Sequence, residues 1–340
     1  MKTVKTFNIT EEFIQGAISA ERIKDSLYPC RLPHYRRWHF PSEGLWQAAK
    51  STSGVRLRFE TDAEAITLCF DPLLKAHNKV PKGHAFDVVI DNKICQVIYC
   101  KQGATGAVFD KIGRGLRVIE LWLPPSTSVG LKEIRAKKAS ILRPIPDRRP
   151  MWVTWGSSIT HCVRAGSAAR TWSATVARKH NLNLLCLGFG GQCHLDPTVA
   201  MLIRDLPASY ISMKLGINTV SSSLSQRTYG ALVAAAIAIV REKHTHTPIA
   251  LISPIANPPR ESTPSPAGFT LEMMRSDMEM VCKSFVSAGD MNLYYVNGLD
   301  FFGKKEIIRY SDDKLHPGAE GIDLQAERFS KLVIPLLLGK

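Results

Sequence analysis

A change in hydrophobic rhythm near residue 148 constrains the fold of this 340-residue chain more than any other feature. Before it, apolar and polar positions alternate, as in GVRLRFET (54–61), and buried runs such as AITLCF (65–70) are short. After it, apolar runs alternate with stretches of helical periodicity. Alternation marks half-buried strands, whereas apolar strands separated by helices mark a parallel sheet covered on both faces. The chain is therefore predicted to contain two domains of different architecture.

Residues 1–148 are predicted to form an antiparallel, jelly-roll-like β-sandwich. The segment AFDVVIDNKICQVIYC (85–100) is typical of a hairpin that turns at Asp91-Asn92, and LRVIELWLP and GLKEIRAKK continue the strand pattern. Short strands separated by Gly, Pro, Asn and Asp favour a sandwich. The one helix expected here lies around TEEFIQGAISAERI (10–23). Trp38 is expected in the sandwich core, with presentation to a sugar face as the alternative.

A proline- and arginine-rich segment, ILRPIPDRRP (141–150), follows the sandwich. Proline restricts the residue before it to extended conformations, so the segment favours a solvent-facing connector. We therefore predict the domain boundary at about residue 148 and a second domain over 149–340.

The second domain is predicted to be α/β with a parallel sheet, because five apolar runs alternate with helix-like stretches. The predicted strands are MWVTWG, NLLCLGF, YISMKLG, PIALISPI and LYYVNG. Ligands of such sheets bind beyond the carboxyl ends of the strands. The residues that follow each strand are therefore the candidates for function.

Composition excludes several classes of protein. The first residues lack the apolar core of an export signal, and no apolar run approaches the length of a membrane span. The eight cysteines include no Cys-x-x-Cys pair, which favours buried free thiols over disulfides or zinc ligands. We expect a cytoplasmic protein that does not contact membranes and needs no metal or other cofactor.

The charge is concentrated in the first half of the chain. Residues 1–150 hold 25 Lys+Arg and 15 Asp+Glu (25 − 15 = +10), which leaves +4 of the total +14 for the rest. A basic domain can attract an acidic protein or another anionic ligand, although a solvated basic surface that aids solubility is the plainer explanation. Zinc-finger spacings, RNP-like strings and basic helices are missing, so nucleic acid is not an expected partner.

Three residues are candidates for nucleophilic catalysis. Ser158 lies directly after the first predicted strand, in WVTWGSSITHC, while Asp313 and His316 lie in SDDKLHPGAEG after the last strand. A serine hydroxyl becomes a nucleophile when a histidine takes its proton and a carboxylate orients that histidine. The spacing of three between Asp313 and His316 brings both side chains to one side of a helical turn.

Acyl transfer also needs hydrogen-bond donors for an oxyanion. The candidates are the backbone N–H of Ser158, that of Gly191 in GFGGQ, and the side-chain amide of Asn218 in LGINT. Taken singly, each motif is more typical of a helix cap or a turn. Their joint position at the ends of strands of one predicted sheet favours the catalytic interpretation.

These motifs, GSSIT, GFGG, GIN and DDKLHP in this order, resemble the four blocks of the SGNH (GDSL-type) hydrolases. The resemblance implies a flavodoxin-like three-layer α/β/α fold and serine-dependent acyl chemistry. It places the family nucleophile at Ser158, the oxyanion residues at Ser158, Gly191 and Asn218, and the Asp-x-x-His pair at Asp313 and His316. Ser157 stands where the family usually has aspartate, which bears on the substrate more than on catalysis.

A β-sandwich before such a domain resembles two-domain carbohydrate esterases and the acyltransferases of natural-product biosynthesis. The resemblance predicts an esterase acting on a small O-acyl ester, such as an O-acetylated sugar, through an acyl-enzyme on Ser158. One alternative is transfer of the acyl group to an alcohol from CoA, an ester or an acidic acyl carrier protein, which the basic first domain would attract. A lesser alternative is a binding module without catalysis.

Overall fold

The computed structural model describes residues 4–74, 82–220 and 224–339. They form two compact units. The first comprises the described residues up to 149 together with 162–186, and the second comprises 150–161 together with the described residues from 187 onward. The domain boundary near residue 148 remains a prediction.

The first unit contains two antiparallel sheets, as the sequence predicts. Its described strands are β1 (Val4–Asn8), β2 (Ile14–Gln15), β3 (Ser19–Ile23), β4 (Ser26–Cys30), β5 (Arg56–Thr61), β6 (Ala65–Phe70), β7 (His84–Ile90), β8 (Lys93–Cys100), β9 (Gly106–Phe109), β10 (Arg117–Trp122), β11 (Leu131–Lys137) and β12 (Leu142–Pro144). One sheet has the order β3-β4-β11-β6-β9 with β1 beside β11. The other has the order β12-β5-β10-β7-β8 with β2 beside β5.

The sandwich core is built from the inward-facing residues of both sheets. Phe70 and Phe86 stack with ring centroids 4.9 Å apart, and Phe59 and Leu68 are completely buried. The hairpin of β7 and β8 turns at Asp91 and Asn92, whose φ angles are +49° and +62°. Two positive φ angles define the type I′ turn that suits the twist of paired strands. The predicted hairpin is therefore confirmed.

The predicted helix over 10–23 is wrong. Only Glu11–Phe13 form a short 3-10 turn, after which Ile14 pairs with Leu57 of β5. Gly16 has a φ of +78°, outside the helical region, and Phe13 is buried in the sandwich core. Burial in the sandwich outweighs the local helical pattern here, because most helical stability in proteins comes from packing of an apolar face.

A helix that the sequence pattern did not reveal forms farther along, α1 (Glu43–Lys50). The side chain of Ser42 caps it by accepting a hydrogen bond from the N–H of Leu45.

The expectation that Trp38 lies in the core is also wrong, since 78% of Trp38 is exposed.

The proline-rich segment 141–150 is not simply a solvent-facing connector. Its first part is the edge strand β12, and Asp147 has a completely buried side chain. Asp147 accepts a hydrogen bond of 2.8 Å from Arg56, which is itself completely buried. A buried guanidinium requires a partner charge, so the acidic residue of this segment is drawn inward. Arg149 also pairs with Asp147. The guanidinium groups of Arg149 and Arg56 together hold the pKa of the Asp147 carboxyl well below its usual range.

Residues 162–186 belong to the first unit because buried polar groups of the sandwich bind their backbone. Arg31 donates to the carbonyl of Cys186 at 3.0 Å, and Arg56 donates to that of Leu184 at 3.1 Å. Asp87 of β7 accepts a hydrogen bond from the N–H of Ala169 at 2.8 Å. These bonds give hydrogen-bond partners to backbone groups that burial separates from water.

The later part of the chain alternates strands and helices, which confirms the α/β prediction. Its described strands are β13 (Met151–Gly156), β14 (Asn183–Gly188), β15 (Tyr210–Lys214), β16 (Ile249–Ile252) and β17 (Leu293–Val296), in the sheet order β14-β13-β15-β16-β17. Its described helices are α2 (Ser158–His161), α3 (Trp172–Lys179), α4 (Pro197–Asp205), α5 (Gln226–Arg241), α6 (Leu271–Ser287), α7 (Gly298–Phe301), α8 (Lys304–Tyr310), α9 (Ala319–Leu332) and α10 (Ile334–Leu338). None of the helices in the described ranges is long and apolar enough to cross a membrane.

The parallel register aligns the ends of neighbouring strands. Gly156 of β13 lies opposite Lys214 of β15, and Lys214 in turn lies opposite Ile252 of β16. The loops that follow these strands therefore leave the sheet at one edge.

We expect the buried charge network of the first unit to be sensitive to loss of its central cation. Replacing Arg56 by Met leaves Glu120 and Asp147 with one fewer cation at a buried site, and should lower the free energy of unfolding by about 3–5 kcal/mol. Arg135 is the matched control, because its side chain is 56% exposed and pairs with Glu133 at the surface. Arg135→Met should cost less than about 1 kcal/mol. Urea unfolding of both variants tests this, and equal effects would contradict it.

Candidate active site

The predicted nucleophile lies on a tight strand-to-helix turn. β13 ends at Gly156, and α2 begins at Ser158. The N–H groups of Thr160 and His161 both donate to the carbonyl of Ser157, at 3.0 Å and 2.9 Å. This single helical turn holds the Ser158 side chain at the carboxyl end of the strand.

The structure brings Ser158, His316 and Asp313 into one chain of hydrogen bonds. The Oγ of Ser158 lies 2.8 Å from Nε2 of His316, and Nδ1 of His316 lies 2.9 Å from Oδ2 of Asp313. The hydroxyl and the imidazole are 158 residues apart in sequence. With Nδ1 donating to the carboxylate, Nε2 of a neutral imidazole is the acceptor for the serine proton.

Local hydrogen bonds hold the carboxylate of Asp313 in place. Its Oδ1 accepts from the backbone N–H groups of His316 at 2.7 Å and Leu315 at 3.1 Å, and from the hydroxyl of Ser311 at 3.0 Å. Oδ1 therefore binds groups of its own loop, while Oδ2 contacts the imidazole. This division orients His316 through both its backbone and its ring.

A residue from another loop supports the same segment. Lys314, between Asp313 and His316, has a φ of +56°, a conformation that costs energy for a residue with a side chain. The side-chain amide of Asn257 donates to the carbonyl of Lys314 at 2.7 Å. Asn257 is 4% exposed and lies in the loop after β16. It was not among the predicted site residues, because an isolated asparagine after a proline-flanked strand carries no distinctive pattern.

Gly191 lies on a tight turn after β14. The N–H of Gln192 donates to the carbonyl of Phe189 at 3.1 Å, and Gly191 has a φ of +70°. Gly190 is not among the residues with a positive φ, and a positive φ at the third position alone is typical of a type II turn, which favours glycine there. Among the described residues, no backbone carbonyl accepts the N–H of Gly191. This donor is consistent with the oxyanion role predicted for it.

Asn218 is bound to the same loop as Gly191. Its Oδ1 accepts a hydrogen bond of 3.1 Å from the N–H of Cys193. A backbone N–H can bond only to the oxygen of the amide, so this contact fixes which way the side chain faces. The nitrogen of Asn218 remains as the donor that the predicted oxyanion site needs.

Two buried titratable groups flank this loop. Lys214, the last residue of β15, is 2% exposed, and burial lowers its pKa to about 7. Cys193 is 1% exposed, and burial raises the pKa of its thiol. Each charged form is costly in this environment. The signal for Lys214 in the sequence is a lysine inside the apolar run YISMKLG, and this residue is not among the predicted site residues.

A hydroxyl, an imidazole and a carboxylate in series suit nucleophilic acyl chemistry. Glycine-loop N–H groups and a fixed amide nearby suit stabilisation of a developing oxyanion. In the described part of the chain, no three His, Cys, Asp or Glu side chains form a group suited to a metal ion.

The comparison with protein families agrees with this fold. Residues 149–336 match the GDSL-like Lipase/Acylhydrolase family, and residues 13–132 match the SsfX3 N-terminal domain. The first match covers more than half of the chain, so this protein belongs to the GDSL-like lipase/acylhydrolase family and is an enzyme of that class. No curated protein matches the sequence significantly.

Several solved structures share both the sandwich and the α/β architecture. The salicylyl-acyltransferase SsfX3 from a tetracycline biosynthetic pathway is 29% identical, with 98% of this chain and 97% of that chain covered and a TM-score of 0.89. A putative GDSL-like lipase from Bacteroides ovatus is 17% identical over 99% and 98% of the two chains, with a TM-score of 0.77. A family two carbohydrate esterase from Clostridium thermocellum is 18% identical over 85% and 94%, with a TM-score of 0.62. The last two likenesses show the fold alone.

Lys214 is predicted to make stability rise with pH. Its pKa is near 10.4 in the unfolded chain and about 7 in the folded protein. Between these values the unfolded state binds the extra proton, so the free energy of unfolding increases by up to about 1.4 kcal/mol per pH unit. This increase begins above the folded pKa and is absent below it.

Urea unfolding at about pH 7 and about pH 9 measures this linkage. The increase should be smaller in Lys214→Met than in the wild type, because the variant lacks the titrating group. Lys283→Met is the matched control, since that side chain is 72% exposed on α6, and it should retain the wild-type increase. Equal increases in wild type and Lys214→Met would contradict the assignment.

Proposed function

We propose that this protein transfers acyl groups through a covalent acyl-enzyme on Ser158. The observation that carries the proposal is the hydrogen-bonded series from Ser158 Oγ through His316 to Asp313, with distances of 2.8 Å and 2.9 Å. A serine with a correctly placed base and a base with an orienting carboxylate are the recurring requirements of this chemistry.

In the proposed acylation step, Nε2 of His316 takes the proton of Ser158 as Oγ attacks the carbonyl carbon of an ester. Asp313 stabilises the imidazolium that results. The carbonyl oxygen gains the negative charge and accepts hydrogen bonds from the N–H groups of Ser158 and Gly191 and from Nδ2 of Asn218. The bond to the leaving alcohol then breaks, and His316 returns the proton to that alcohol.

The second step regenerates the enzyme by the same proton transfers in reverse. His316 deprotonates an acceptor hydroxyl, which attacks the acyl-enzyme, and Ser158 leaves with the proton. We propose that the acceptor is an alcohol, because full-length similarity at 29% identity links the chain to a salicylyl-acyltransferase. Hydrolysis of a small O-acyl ester, in which water is the acceptor, is the second candidate, because the same acyl-enzyme serves both reactions.

We propose that the acyl donor carries negative charge, as CoA or an acidic carrier protein does. With such a thioester donor the C–S bond breaks in place of the C–O bond, and His316 returns the proton to the leaving thiol instead of an alcohol. Residues 1–150 have a net charge of +10 (25 Lys+Arg − 15 Asp+Glu), which would attract such a donor over long range. An anionic small ester would be attracted in the same way.

Loss of Ser158 is expected to abolish turnover without loss of the fold. Ser158→Ala removes the attacking oxygen, and Asp313→Asn should slow the reaction on the order of 10³–10⁴-fold by favouring the wrong imidazole tautomer. Release of p-nitrophenolate from its acetyl and salicyl esters measures both effects. Ser284→Ala, which changes an exposed serine of α6, is the matched control and should behave as wild type. Full activity in Ser158→Ala would refute the nucleophile.

The choice between transfer and hydrolysis is expected to appear in product analysis. With a p-nitrophenyl ester as donor, added alcohol should divert the acyl group into a new ester, while water alone gives slow release. Mass spectrometry of the products measures the partition ratio. Rapid release to free acid that added alcohols leave unchanged would instead establish hydrolysis.

A further inference from the structure

A buried histidine next to the predicted nucleophile contacts the glycine turn. His161 is the last residue of α2 and is 6% exposed. Its Nδ1 accepts a hydrogen bond of 3.2 Å from the N–H of Gly190. Ser158 and His161 are three positions apart, so their side chains emerge on the same side of the single helical turn. One short element therefore carries both the nucleophile and the acceptor for the turn after β14.

The end of β14 packs so closely on α2 that no side chain fits at Gly188, and the turn that follows leaves little room at Gly190. A Cβ atom on Gly188 would lie 2.3 Å from the backbone nitrogen of His161. One on Gly190 would lie 3.2 Å from Nδ1 of His161 and 3.7 Å from Cβ of Ser158. A side chain at Gly190 would therefore contact Ser158, so the turn lies close to the nucleophile.

Three hydrogen bonds define the position of this turn. Phe189 N–H donates to the carbonyl of Gly156 at 2.8 Å, and Gln192 N–H donates to that of Phe189 at 3.1 Å. The first fixes where the turn begins, and the second fixes its shape. The bond from Gly190 to His161 ties the middle of the turn to α2, immediately before Gly191.

We infer that His161 is a positioning residue that sets the oxyanion donor of Gly191 relative to Ser158 by accepting the Gly190 N–H at Nδ1. This role rests on the proposed acyl-enzyme function and adds to it a residue outside the predicted site. The bond requires a lone pair on Nδ1, so His161 is a neutral imidazole with its proton on Nε2. It also occupies the Gly190 N–H, which leaves the Gly191 N–H as the donor of this turn.

Asparagine and glutamine variants separate this role from a purely structural one. The carboxamide oxygen of Asn can occupy the position of Nδ1, whereas that of Gln reaches toward the position of Nε2. The two variants are uncharged and chemically alike, so each is the matched control of the other. His161→Leu removes the acceptor altogether.

We expect His161→Asn to retain the kcat for p-nitrophenyl ester cleavage within about 3-fold. The Gln and Leu variants should lose about 10- to 100-fold in kcat, which is a smaller loss than the removal of an oxyanion donor causes. KM should change little, because the oxyanion contact strengthens only in the transition state. Thermal unfolding of each variant reports its folding. Equal kcat values for the Asn and Gln variants, whether high or low, would overturn the inference.

The imidazole tautomer provides a second measurement on the wild-type chain. ¹⁵N-histidine NMR, with His161 assigned through its backbone amide, should show an unprotonated Nδ1 and a protonated Nε2. A protonated Nδ1 would overturn the inference even if a variant failed to fold. If wild type and Ser158→Ala turn over esters equally, the proposed function fails, while the tautomer still decides whether His161 accepts the Gly190 N–H.

Discussion

The parallel pairing of β13 with β15 is the interaction on which the candidate active site depends. Its register places Gly156 opposite Lys214, so both strands end at the same level of the sheet. Ser158 follows the first strand after one residue, and Asn218 follows the second after a short loop. The backbone ladder therefore places at one edge of the sheet two polar groups that belong to different parts of the sequence. No side-chain contact between them is needed for this, because strand ends of one parallel sheet share an edge.

Hydrogen bonds to backbone groups then convert this coarse placement into a defined geometry. Oδ1 of Asp313 binds the N–H groups of its own loop, Asn257 holds the carbonyl of Lys314, and Oδ1 of Asn218 binds the N–H of Cys193. His161 does the same for Gly190. In each case a side chain restrains a loop, which matters because reacting groups must be held within a fraction of an ångström. These bonds restrain the loops of the site where secondary structure ends.

Sequence patterns predicted the fold where local and tertiary preferences agree. Alternation predicted the strands of the sandwich, Asp91-Asn92 predicted the hairpin turn, and the strand–helix rhythm predicted the parallel sheet. The helix expected over 10–23 failed because Phe13 is buried in a sandwich core to which distant strands contribute. Asp147 was expected in solvent and is buried, since its partner Arg56 lies 91 residues earlier. Neither outcome could be read from the local residues.

The sequence by itself determined the alternating strands of the sandwich, the order of strands and helices after residue 148, and the position of polar residues after those strands, because these depend on periodicity and local turn chemistry. It also contained the four family blocks, from which Ser158, Gly191, Asn218, Asp313 and His316 were predicted. The tertiary structure decided which groups meet: the 2.8 Å contact of Ser158 with His316, and the supporting contacts of Asn257 and His161. A hydrogen bond depends on the relative position and direction of two groups, and for residues far apart in the chain packing alone sets these.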